Sequence, residues 1–226
     1  MMVGVGFLLT GCSPSAGTPE TTPDIAAPTS STTSSPQPSA TRVPSTETPP
    51  PSHTLTPVDA SYQIVQNSSL SHGLSHWGQR MGRLSHVASE YYTAPGAGLI
   101  VTSEMDNSGV AAQCISLQER LPDWPTTDGQ KRVTFDAFLK TDPNIDRATL
   151  LIIFHEGDCG RPDQFHTQVG TMQSSPVSGE QDWTHVSISG IIPGDASSVD
   201  VIIWASGRTE SAQAYFDDVR SYVPSP

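Results

Sequence analysis

Three groups of side chains in this sequence could do chemistry. The first is His155-Glu-Gly-Asp-Cys159, which gathers an imidazole, two carboxylates and a thiol. Metal binding needs ligands at a spacing that aims them at one point, and neither His-Glu-x-x-His nor Cys-x-x-Cys occurs here. His155 reads instead as a strand end on a polar rim. The second group is the adjacent pair Asp217 and Asp218, which interrupts the otherwise apolar run Ala214-Tyr-Phe-Asp-Asp-Val219. The third is aromatic. Phe138 shares the outward parity of its run with Arg132 and Asp136, and Trp204 shares that of its own run with Asp200. Flat rings beside charged groups make the mixed lining of a small-ligand site.

Covalent catalysis has no starting point, because there is no Gly-x-Ser-x-Gly elbow and the serines fall in turns and in a polar tail. A carboxylate pair for glycoside hydrolysis could be drawn among Asp136, Glu156 and Asp217. With 23 acidic residues the chain offers many such triples, and solvated acidic faces account for them. The sequence reads as that of a non-enzyme. His72, His76 and His86 read as surface residues. The formal charge of −12 would repel a phosphate backbone rather than release its counterions, so nucleic acid is set aside as a partner.

These residues must be positioned by strands. Alternation over 132–140 turns Val133, Phe135, Ala137 and Leu139 inward and Arg132, Thr134, Asp136, Phe138 and Lys140 outward. Val186 and Ile188 form one half-buried run, and Val199, Val201 and Ile203 form another, with Asp200, Ile202 and Trp204 on the opposite parity. The intervening Ile192-Pro-Gly-Asp-Ala-Ser197 predicts a reversal that joins the two as a hairpin. Further strands are predicted at 63–65, 84–92, 99–103, 111–117, 149–155 and 164–172. Thr149-Leu-Leu-Ile-Ile-Phe154 is apolar on both faces, as a central strand would be. Residues 116–121 could turn helically before Pro122 and Pro125 stop them. Many short strands without a long amphipathic helix predict an all-β sandwich over 58–226. A domain of about 165 residues buries roughly 70% of its unfolded surface and needs no metal to fold.

A tryptophan-led strand at Trp183, the turn Pro193-Gly-Asp-Ala196 and the closing Tyr215-Phe-Asp-Asp-Val219 resemble the last third of galactose-binding-like jelly rolls. The likeness is strongest to carbohydrate-binding modules of families four, nine and twenty-two. Upstream, Asn67, Gly73 and Trp77 match that family's opening pattern, while Ser68, Leu70 and Ser71 stand where it has Gly, Phe and Glu. The resemblance implies a jelly-roll β-sandwich with Trp77 and Trp183 packed at the core. It also implies a structural Ca²⁺ held by Asp217 or Asp218, although Ser71 replaces a glutamate that commonly serves such a site. Finally, it implies a carbohydrate ligand, for which outward parity offers Phe138 and Trp204 as a sugar platform on one exposed face, with Arg132, Asp136 and Asp200 reading hydroxyls; the alternative is that Trp204 packs beneath a loop. Trp124, between two prolines, is either an exposed platform or a lid on the core.

The start of the chain has a separate purpose. Val3-Gly-Val-Gly-Phe-Leu-Leu9 is too short to span a membrane but suits a signal segment over 1–11, and Leu9-Thr-Gly-Cys12 matches the bacterial lipobox, so Cys12 is expected to be lipidated. No Lys or Arg precedes this run, which leaves an upstream start open. Residues 12–57 are nearly all Ser, Thr, Pro and Ala and cannot bury enough apolar area to order themselves. They predict a disordered tether reaching about 40 Å as a coil or about 140 Å as polyproline. Export places the remaining cysteines, Cys114 and Cys159, in an oxidising compartment, where two leftover thiols form a disulfide.

Together these readings predict a monomeric, non-catalytic jelly-roll module that binds a polysaccharide or cell-wall glycan. It would sit on the extracytoplasmic face of a bacterial cell membrane, touching that membrane only through its lipid anchor. The alternative is a sandwich for protein or cell-wall contact with no sugar site. The two are told apart by whether aromatic rings line an outer sheet face or point into the core.

Overall fold

The computed structural model describes residues 61–124, 131–160 and 167–224. The signal-like run, Cys12 and the tether lie outside the described residues. Among the described residues the strands are β1 (Ser61–Tyr62), β2 (Gly78–Met81), β3 (Arg83–Val87), β4 (Ala97–Val101), β5 (Ser108–Ser116), β6 (Lys131–Thr141), β7 (Ile145–His155), β8 (Gln168–Gln173), β9 (Gln181–Ile192), β10 (Ser198–Gly207) and β11 (Gln213–Pro224). One helical turn, α1 (Leu117–Arg120), follows β5 and ends before Pro122.

The strands form two antiparallel sheets. One has the order β3-β4-β11-β6-β9, with β1 also pairing β11, and the other has the order β2-β5-β10-β7-β8. Consecutive strands pair at β3–β4 and β7–β8, while the other connections carry the chain from one sheet to the other. This is the all-β sandwich that the strand pattern predicts, with the jelly-roll form that the resemblance implies. Val133, Phe135, Ala137 and Leu139 of β6 are fully buried, as are Leu150 and Ile152 of β7 and Val199, Val201 and Ile203 of β10. They belong to one core cluster between the sheets, where each large apolar side chain contributes about 1.5–3 kcal/mol.

The predicted hairpin is not one. Val186 and Ile188 lie in β9, which pairs β6, whereas Val199, Val201 and Ile203 lie in β10, which pairs β5 and β7. A proline-glycine turn reverses the chain without choosing its next neighbour, and here it passes across the end of the sandwich. Ala196 in that turn is buried, and its carbonyl accepts the indole N–H of Trp124 at 2.7 Å. Trp124 is therefore a lid on the core. The strand expected at 63–65 is also displaced, to β1. The amides of Ile64 and Val65 donate to the Ser221 hydroxyl at 2.6 and 3.3 Å instead of to a ladder.

The acidic pair in β11 explains itself as a bulge. Asp217 pairs with Phe138 and Arg220 with Asp136, so β11 uses three steps where β6 uses two. Asp218 takes a left-handed backbone, φ 49°. The extra residue switches the strand's parity, so that Ala214 and Phe216 before it, and Val219 and Val223 after it, all face the core.

Candidate functional site

β6 lies between β11 and β9, so its outward side chains are flanked on both sides. Three rows cross the outer face of this sheet: Ser189, Thr134 and Tyr222; then Ser187, Asp136 and Arg220; then His185, Phe138 and Asp217. Over the last row lies the loop 88–96, which joins β3 to β4. It brings the Tyr92 ring flat against Phe138, with centroids 3.6 Å apart and planes 11° from parallel. The Trp183 ring stands 6.3 Å from Tyr92 at 60°, and the His185 ring 5.1 Å from Phe138 at 36°. Beside this group of rings, acidic and basic side chains meet in pairs. His185 Nε2 is 3.4 Å from Asp136, Arg220 Nε donates to Asp218 at 2.6 Å, and Lys140 Nζ donates to Glu90 at 2.8 Å. The hydrogen bond that it donates to Glu90 raises the Lys140 ammonium above its ordinary value in spite of burial. Burial pushes the Asp218 carboxyl up, with Arg220 opposing it.

Asp217 is fully buried beneath the loop. Its Oδ2 accepts the amides of Tyr92 at 3.0 Å and Thr93 at 2.6 Å, and its Oδ1 accepts the amide of Asp218 at 2.6 Å. Burial nevertheless raises its carboxyl to about 6, against the pull of those three N–H groups. For the calcium expected at Asp217 or Asp218, this donor set is a poor fit. The Asp217 oxygens face N–H groups, the Asp218 Oδ1 faces a guanidinium, and the described residues hold no group of three or more His, Cys, Asp or Glu placed for a metal. A Ca²⁺ shell needs six to eight oxygens.

The expected platform is divided. Phe138, Arg132 and Asp136 lie on β6 in the six-stranded sheet, but Trp204 and Asp200 lie on β10 in the five-stranded sheet. Outward parity only directs a side chain away from the core, and a sandwich has two outsides. Asp200 reads no ligand hydroxyl there: it is fully buried, bonds Arg80 Nη2 at 3.0 Å and lies 3.4 Å from His155 Nε2. His155 itself is buried rather than on a rim. Trp204 packs against an apolar cluster of Val110, Ala112 and Ile202 under the guanidinium of Arg147, 5.4 Å from its ring. Trp77 takes the expected core position, 5.0 Å from Phe216. Trp183 does not, being half-buried on the outer face. Cys114 and Cys159 are disulfide-bonded, with Cα atoms 5.7 Å apart.

The residues that sequence reasoning missed are Tyr92, Trp183, His185 and Arg220. Trp183 and His185 alternate outward along β9 and carried a readable signal. Tyr92 carried none, because an irregular loop has no period.

No protein-family model matches the sequence, and no curated protein matches it. Solved structures do. The CBM22-1 and GH10 modules of a Clostridium thermocellum endo-1,4-β-D-xylanase, complexed with xylohexaose, align with TM-score 0.54 at 15% identity over 74% of this chain and 29% of that one. The enzymatically active domain of a tailspike protein from bacteriophage CBA120 aligns with TM-score 0.51 at 12% identity over 72% of this chain and 22% of that one. A family 16 carbohydrate-binding module aligns over 70% of this chain and 98% of its own, with TM-score 0.49 and 17% identity. At such identities the likeness concerns the fold, and the chain has the jelly-roll β-sandwich fold of carbohydrate-binding modules.

Proposed function

We propose that this protein is a non-catalytic glycan-binding module, displayed on the extracytoplasmic face of a bacterial membrane by lipidated Cys12 and the 12–57 tether. The observation that carries the reading is the wall of rings formed by Tyr92, Phe138 and Trp183 beside the polar row of Ser187, Asp136 and Arg220. A pyranose presents flat C–H faces and a rim of directional hydroxyls, and such a surface supplies an apolar wall for the one and paired charges for the other. A protein-contact surface would call for a contiguous apolar patch, whereas these rings are interleaved with paired acidic and basic side chains.

The xylohexaose bound to the Clostridium thermocellum modules makes xylan a first probe. The full chain should be retarded in affinity electrophoresis through at least one of soluble arabinoxylan, mixed-linkage β-glucan or galactan, without releasing reducing sugar. Unchanged mobility in all three, together with a blank glycan array, would sink the reading. Cys12→Ser should move the protein from the membrane fraction to the soluble one.

A further inference from the structure

We propose that Asp217 is the positioning residue of the glycan-binding face, acting by fastening the loop 88–96 so that the Tyr92 ring is held against Phe138. The inference rests on the glycan-binding reading above for its consequence, and on geometry alone for its mechanism.

A nine-residue connection would ordinarily be held by turns of its own or by side chains from its neighbours. Here the fastening comes from outside. Asp217 Oδ2 accepts two successive amides, those of Tyr92 and Thr93, at 3.0 and 2.6 Å. The only ion pair recorded for the loop among the described residues is Glu90 with Lys140, and Glu90 is itself 41% exposed, which limits what it contributes. Two charge-assisted bonds to one buried oxygen are the stronger tie.

Their placement also matters. Asp217 stands at the bulge and pairs across the ladder with Phe138, so the carboxylate and the ring under Tyr92 belong to the same row. Holding the Tyr92 amide at Asp217 therefore sets where the Tyr92 ring can reach. The third bond, from the amide of Asp218 to Oδ1 at 2.6 Å, fixes the carboxylate against its own backbone and leaves the other oxygen aimed at the loop. A buried carboxylate is costly to keep, and these three N–H groups offset that cost while ordering a ring that no strand could carry.

The test uses the full chain as wild type, Asp217→Ala, Asp217→Asn, Tyr92→Ala and the Asp217→Ala/Tyr92→Ala double variant. Nuclear magnetic resonance reads the ring-current shift of the Tyr92 ring protons and the exchange of the Tyr92 and Thr93 amides. Binding is read in the three polysaccharides named above. Asp217→Ala should abolish the upfield shift, speed exchange at 92–93 at least tenfold and weaken binding about tenfold. Asp217→Asn keeps one oxygen for the two amides and should stay within about threefold of wild type in binding. The double variant should bind no more weakly than Tyr92→Ala. Unchanged ring shift and exchange in Asp217→Ala, or a full additional loss in the double variant, would overturn the proposal. Should the alanine variant not fold, Asp217→Leu, of similar shape but with no acceptor oxygen, takes its place: loss of the ring shift and of slow exchange in a variant that remains folded would support the proposal, and retention of both would overturn it. If wild type binds none of the polysaccharides, the glycan reading fails, and the resonance measurements still decide whether Asp217 holds the loop.

Discussion

The Tyr92 ring lies against the Phe138 ring with centroids 3.6 Å apart, so a side chain from an irregular loop completes a surface that a β-strand begins. One ring face of Phe138 is thereby occupied, and the rings left to meet a ligand are those of Tyr92 and Trp183. Tyr92→Ala should weaken glycan binding by about tenfold, an aromatic contact contributing on the order of 1 kcal/mol beyond its buried area. Trp204→Ala should leave affinity unchanged, because that ring belongs to the other sheet. Isothermal titration of both variants separates the two. Equal losses would mean that the ligand does not use the face carrying Phe138.

Asp217 should make stability depend on pH in an unusual direction. Burial raises its folded carboxyl to about 6 from an ordinary 3.8, so the folded protein holds that proton more tightly than the unfolded chain does. The stabilisation is fully present below pH 3.8 and is lost as pH rises through 6, amounting to at most about 3 kcal/mol. The Tm of wild type minus that of Asp217→Asn should therefore rise as pH falls from 7 to 4. A difference that shrinks over this range would mean that the three amides outweigh burial. Adding a chelator or calcium should shift neither curve.

The Cys114–Cys159 bond closes a sequence separation of 45 and should stabilise by about 4 kcal/mol on the chain-entropy account. It ties the segment that follows β7 to β5, and these two strands lie on opposite sides of β10. Replacing both cysteines with serine should lower the denaturation midpoint while leaving glycan affinity intact, since neither residue lies on the sheet carrying Phe138. Unchanged midpoints would show that the unfolded chain is already compact across this loop.

Deleting Asp218 should leave the fold intact, whereas deleting Asp218 and Val219 together should destroy it. The single deletion removes the extra residue, so Asp217 and Arg220 stand two steps apart as Phe138 and Asp136 do, and Val219 and Val223 still face the core. The double deletion brings Arg220 and Tyr222 to the core side and turns Val223 outward, and the expected outcome is insoluble or unfolded protein. Asp218→Gly, which suits the left-handed backbone there, should melt within a few degrees of wild type. Circular dichroism and thermal melting distinguish these variants, and an unfolded single-deletion variant would show that the bulge itself, rather than the parity it corrects, holds β11 in place.

What the sequence determined by itself is local and periodic. Alternation along β6, β7 and β10 decided which residues face the core, because the side-chain period of a strand is two wherever the strand lies. Cysteine arithmetic paired Cys114 with Cys159. The tertiary structure alone decided which strands share a sheet. The turn at 193–197 reads as a hairpin, yet it sends β10 to the opposite sheet, because partner choice depends on the whole core rather than on the turn. This separated Trp204 and Asp200 from Phe138. The same limit hid Tyr92, whose position is set by two amides bonded to a carboxylate 125 residues away in the chain. The adjacent aspartates were visible as an interruption. Only pairing with β6 showed them to be a bulge that keeps one strand's two apolar sets on the same side.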